Sequence, residues 1–79
     1  SDAENALLTK ERQEILVTAI DSLPPLYKTL ITLYHQEALS YEEIGTITNL
    51  PSGTVKNYLF RARKKMKDIL LLQYKKEEL

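Results

Sequence analysis

The chain has no cysteine, one histidine and only two glycines, and its 79 residues contain no long apolar run. Without thiols there are no disulfides and no thiolate metal sites, and His35 alone cannot build a metal site from imidazoles. No stretch approaches the roughly 20 apolar residues that a membrane-spanning helix needs. The first residues do not read as a secretion signal, so a cytoplasmic location is expected. Also missing is any workable set of nucleophile, base and orienting acid, which argues against an enzyme and against a cofactor or small-molecule substrate. The adjacent acids Glu42 and Glu43 come nearest to an acid–base pair, but no nucleophile accompanies them.

The most telling scarcity is local. From Gly53 to Lys67 there is no acidic residue, while Lys56, Arg61, Arg63, Lys64, Lys65 and Lys67 give that stretch a charge of +6; residues 1–52 sum to −5 and residues 68–79 to −1. The formal net charge of zero therefore hides a strongly uneven distribution. Mixed charge would argue against a nucleic-acid partner; a concentrated basic stripe is the electrostatic footprint that such a partner requires. Within the same stretch Val55, Leu59, Ala62, Met66 and, just beyond, Ile69 recur at helical spacing, so the helix has one dry face and one cationic face.

What remains is an ordinary folded composition, 43% hydrophobic and 28% charged, long enough for one domain and too short for a second core. Residues 1–6 read as a flexible N-terminus, 7–74 as the folded domain and 75–79 as a charged tail. A first helix is expected from about Leu7 to Ser22, with Leu8, Ile15, Leu16, Ala19, Ile20 and Leu23 near one side. Leu23-Pro24-Pro25 breaks it, and because proline suits a first helical turn the same residues open a second helix. That helix reaches about Gln36, with Leu26, Leu30, Ile31, Leu33 and Tyr34 as its apolar set. Glu37-Ala38-Leu39 connects, with Leu39 turned inward. Ser40-Tyr41-Glu42-Glu43 reads as a capping box that starts a short third helix, with Ile44 and Ile47 on its buried side and Gly45 admitting a close helix backbone. Asn49 is the candidate left-handed residue that ends it. A last helix begins between Pro51 and Gly53 and runs to about Tyr74.

A short capped helix, a tight turn and a longer helix with a basic outer face form a helix-turn-helix, with Ile44, Ile47, Leu50, Val55 and Leu59 fixing the angle between its arms. The ordered set Leu23-Pro24-Pro25, Ser40-Tyr41-Glu42-Glu43-Ile44-Gly45, Gly53-Thr54-Val55-Lys56 and Arg61-Ala62-Arg63 resembles region 4 of sigma-70-family transcription factors, most of all the extracytoplasmic-function class. The resemblance covers about residues 8–70. It implies an all-α, four-helix domain with a C-terminal helix-turn-helix and no wing. It further implies recognition of the −35 promoter element and docking on the β flap of core RNA polymerase, with an anti-sigma factor as a further partner. Three positions depart from the family pattern: Gly45 where alanine is usual, Asn49 where glycine is common and Tyr58 where arginine is frequent. The family's −10-binding domain lies outside these residues, so a fragment or isolated domain is expected, unable to initiate transcription alone.

Carried over residue by residue, base contacts fall to Lys56, Asn57, Phe60 and Arg61. Lys56 and Arg61 have donors for guanine, Asn57 matches an adenine edge, and Phe60 suits a thymine methyl or a sugar. Ser40, Tyr41, Thr54, Arg63 and Lys64 are the phosphate-contact candidates. Phe60 has a competing reading as core, and His35 reads as a helix-end cation or surface residue.

Two other functions fit parts of the chain. A response-regulator output domain shares the Ser-x-x-Glu-Ile and Thr-Val-Lys pattern, although the Leu-Pro-Pro and Arg-Ala-Arg runs suit the sigma class better. A protein-interaction module without DNA contact is motivated by the acidic first half and by Leu70, Leu71, Leu72 and Tyr74, which are too many for one helical seam.

Overall fold

Prolines and two left-handed residues set the helix boundaries of this chain. A computed structural model describes residues 2–78, apart from the side chains of Tyr74, Glu77 and Glu78. The elements are α1 (Asp2–Asp21), α2 (Pro25–Ile31) running straight into a π-helical turn (Thr32–Gln36), α3 (Tyr41–Thr48) and α4 (Ser52–Glu78), with no strand among the described residues. Pro24 holds extended backbone (φ −53°, ψ 147°) and Pro25 occupies the first turn of α2, where its missing N–H costs nothing. Ala38 (φ 55°) and Asn49 (φ 58°) take the left-handed conformation that lets the chain turn sharply on each side of α3.

The helices are longer at both ends than the sequence suggests: α1 is helical from Asp2 instead of Leu7, and α4 continues to Glu78 instead of Tyr74. Thr9 and Thr18 are accommodated in α1 by donating their hydroxyls to the carbonyls of Asn5 and Glu14 one turn back, each at 2.9 Å.

The core is Leu23, Leu30, Ile31, Ile44, Val55, Leu59 and Ala62, with Leu39 and Leu50 packed against it at half burial. It sits where α2 and α3 close over the first half of α4. Each fully buried aliphatic side chain stabilises the fold by roughly 1.5–3 kcal/mol. The expected seam of α1 is only partly used. Ala19 and Leu23 are buried and Ile15 and Ile20 half-buried, but Leu8 and Leu16 are each 42% exposed. The reason is geometric: Leu16 lines an open apolar groove of about 500 Å³ with Ile20, Ile31, Met66 and Leu70, and Leu8 lies where α1 and the second half of α4 extend past α2 and α3. The radius of gyration of 14.8 Å reflects this, against about 12 Å for a compact chain of this length. The two overhanging helices bound a groove of about 530 Å³ lined by Glu14, Ile15, Ile69 and Leu70.

Ile47 is a second correction. Expected in the seam of α3, it is 61% exposed, because Ile44, Gly45, Thr48 and Tyr41 define the inward arc and Ile47 lies well to one side of it at 100° per residue. Among Leu70, Leu71 and Leu72, the first is half-buried and the other two are exposed, as an overfull seam requires; the Tyr74 side chain is outside the described residues.

Candidate nucleic-acid interface

The start of α3 is fixed by a reciprocal cap. The Glu43 N–H donates to Ser40 Oγ and the Ser40 N–H donates to Glu43 Oε1, both at 3.1 Å. These bonds stabilise the carboxylate, so the Glu43 pKa lies below its ordinary value, first through the Ser40 backbone and then through its hydroxyl. Glu43 is thereby held in the cap.

The turn between α3 and α4 is closed by Gly45. Its carbonyl accepts from the N–H of both Asn49 and Leu50, the latter at 3.0 Å. A Cβ on Gly45 would stand 2.5 Å from the Leu50 carbonyl oxygen. The close neighbour that glycine admits is thus the backbone of the turn itself, not another helix. With Ile44, Val55 and Leu59 all fully buried, the two arms of the helix-turn-helix are locked at one angle.

On α4 the buried residues Val55, Leu59 and Ala62 face away from solvent, and Lys56, Asn57, Phe60, Arg61 and Lys64 share an exposed arc of about 140° on the other side. Phe60 is 70% exposed, which resolves its two readings in favour of the surface. The four base-contact candidates therefore form one continuous patch with cations at its borders and an aromatic ring at its centre.

The phosphate-contact candidates are more scattered. Lys64 is exposed beside that patch and Thr54 is half-buried at the start of α4. Ser40 is engaged in its cap. Tyr41 is half-buried and stacks on Tyr34, with ring centroids 5.4 Å apart. Arg63 leans back toward the π-helical turn: its guanidinium lies 5.0 Å from the centre of the Tyr34 ring and its Nε–H donates to His35 Nε2 at 3.4 Å. Partial burial, and secondarily the charge of Arg63, hold the His35 pKa below its ordinary value. His35 is thus an exposed acceptor for Arg63, which fits the surface-residue reading better than that of a helix-end cation. Tyr27 had no role in the sequence reading, and Tyr58 entered it only as a departure from the family pattern. They meet across α2 and α4 at 6.2 Å, with the Arg61 guanidinium 5.7 Å from the Tyr58 ring centre. The available signal was the three-residue spacing of Tyr58 and Arg61, which places both on one flank.

A family model described as "Sigma-70, region 4" matches residues 8–66. The chain belongs to the sigma-70 region 4 family. Among curated relatives, this region 4 chain is 44% identical over 63 residues to the ECF RNA polymerase sigma-E factor of Escherichia coli (strain K12), covering 80% of the chain and 33% of the relative. The same figures hold for the sigma-E factor of Salmonella typhimurium (strain LT2). The Haemophilus influenzae protein of that name is 47% identical over 60 residues, covering 76% of the chain and 32% of the relative. The region 4 chain thus spans about a third of the length of these relatives. The family match removes the response-regulator reading. No helix among the described residues is long and apolar enough to cross a membrane.

Proposed function

We propose that this chain recognises the −35 promoter element as the DNA-reading part of a bacterial sigma factor in transcription initiation, acting in the cytoplasm. The observation that carries the reading is the exposed arc of Lys56, Asn57, Phe60, Arg61 and Lys64 on the second arm of a helix-turn-helix, in a stretch free of acids. An α-helix fits the major groove, and this arc offers two donors suited to guanine, an amide suited to adenine and an apolar ring suited to a thymine methyl. To Lys64, Thr54 and the polar start of α3 we assign the flanking phosphates, contacts that set register. Arg63 reaches a phosphate only by leaving the Tyr34 ring.

Selection of bound duplexes from a random library at modest salt tests this. A short enriched motif, altered at separate positions by Arg61→Ala and Lys56→Ala, is the expected outcome. No enrichment by the folded protein overturns it. Lys64→Ala should weaken binding to all duplexes alike and reduce the salt dependence by about one unit of slope.

The overhang of α1 and α4 supports a second contact, to protein. Leu7, Val17, Leu71 and Leu72 are each about half exposed or more on it. We read docking to the β flap of core RNA polymerase, or to an anti-sigma factor, onto this end of the molecule. Such apolar docking changes little with salt, whereas phosphate contact falls steeply with it.

A further inference from the structure

Arg61 is an exposed, long and flexible side chain, and a freely rotating guanidinium is a poor reader of one base pair. It is not free here. Tyr58 lies three residues earlier on the same flank of α4, half-buried, with the Arg61 guanidinium carbon 5.7 Å from its ring centre. Tyr27 of α2, also half-buried, packs on Tyr58 at 6.2 Å with the rings inclined by 59°. Tyr58 is therefore wedged between a core-side ring and the arginine. Its own orientation is set by α2, and it offers a fixed aromatic face to the cation.

We infer that Tyr58, backed by Tyr27, is a positioning residue that preorients Arg61 and so sets how sharply this chain discriminates at the base pair Arg61 reads. The inference rests on the reading of Arg61 as a base contact. A guanidinium already held against the Tyr58 ring at the border of the arc loses less rotamer freedom when it forms its two bonds to guanine, and it reaches competing acceptors on neighbouring pairs less often. Exposed cation–aromatic contacts are of a strength that corresponds to a change of about two- to fivefold in discrimination.

The test uses the full 79-residue chain and the duplex motif recovered by selection. Affinity is measured for that duplex and for single-pair variants of it, at two salt concentrations. Arg61→Ala first identifies the pair whose discrimination depends on Arg61. Tyr58→Leu keeps apolar bulk but removes the ring. It should lower discrimination at that pair by about two- to fivefold while leaving the other pairs and the salt slope unchanged. Tyr58→Phe keeps the ring face and should retain wild-type discrimination. In the Arg61→Ala background Tyr58→Leu should have no further effect at that pair.

If Arg61→Ala alters discrimination at no pair, the base-contact reading fails, and the inference with it. If Arg61→Ala selects a pair but Tyr58→Leu does not weaken discrimination there, only the inference falls. It falls also if Tyr58→Leu sharpens discrimination, since the ring would then be withholding Arg61 from DNA. Should Tyr58→Leu not fold, Tyr27→Leu, which removes the ring that backs Tyr58, takes its place: it should lower discrimination at that pair, and unchanged discrimination overturns the inference, as does loss of discrimination in Tyr58→Phe, which assigns the role to the hydroxyl.

Discussion

Ala38 holds a left-handed backbone that alanine enters only at a cost of about 1 kcal/mol, and its side chain is exposed, so nothing is gained in packing. Ala38→Gly should stabilise the fold by about 0.5–1 kcal/mol in denaturant titration, with no change in DNA binding. Asn49 does the same job at the other end of α3 with a side chain that tolerates it. That contrast explains what was legible: an asparagine after a short helix announces a left-handed turn, and an alanine after a longer one announces nothing. Gly53 is different again. A Cβ there would meet nothing within 4 Å and its backbone needs no special angle, so the fold has no use for its small size. Gly53→Ala should leave stability unchanged or raise it by up to about 1 kcal/mol. If the start of α4 approaches a phosphate backbone closely, the same substitution should weaken duplex binding, measured by titration at fixed salt.

Among elements, α3 depends most on its cap. Loss of the Ser40 hydroxyl in Ser40→Ala should cost about 1 kcal/mol. The cap also carries a pH dependence. Because the folded-state pKa of Glu43 lies below its usual 4.5, this stabilisation is complete above about pH 4.5 and is lost as pH falls through the folded-state value. Glu43→Gln should flatten that part of the melting curve recorded between about pH 3 and pH 6. The His35 contribution has the same sign in a higher window: with its pKa below the usual 6.5, stability is lost as pH drops below that value, when the imidazole must take a proton beside Arg63. The sequence announced the cap because capping is local, a matter of residues three apart. It did not announce the π-helical turn, in which the Glu37 N–H reaches back five residues to the Thr32 carbonyl at 3.2 Å. That widening brings Tyr34 and His35 against Tyr41 and Arg63, and it follows from tertiary packing, not from any propensity of Thr32-Leu33-Tyr34-His35-Gln36. Likewise Ile47 matched a helical period, but α3 lacks a neighbour on that side.

In the molecule as a whole, the exposed arc proposed to read bases and the apolar overhang lie toward opposite ends of α4. Leu72→Lys should therefore leave melting within about 0.5 kcal/mol of wild type, since Leu72 is 61% exposed. Under the proposed division of labour it should also leave duplex selection intact while reducing capture of core RNA polymerase. The cationic face of α4 was legible from spacing and charge, while the proposed base contacts within it came from the resemblance to the sigma family. The overhang was legible only as a surplus of leucines, because which of two long helices outruns its neighbours is decided by contacts far apart in sequence.

The 27 unbroken residues of α4 make a rod of about 40 Å, nearly the 44 Å length of the molecule. Its fulcrum is the cluster around Leu59 and Ala62, closer to its N-terminal end. A rod so mounted is a lever: a push on the leucine-bearing end is transmitted to the other with no hinge to absorb it. A tilt of about 5° about that point carries the Glu78 end about 2 Å and the Ser52 end about 1 Å.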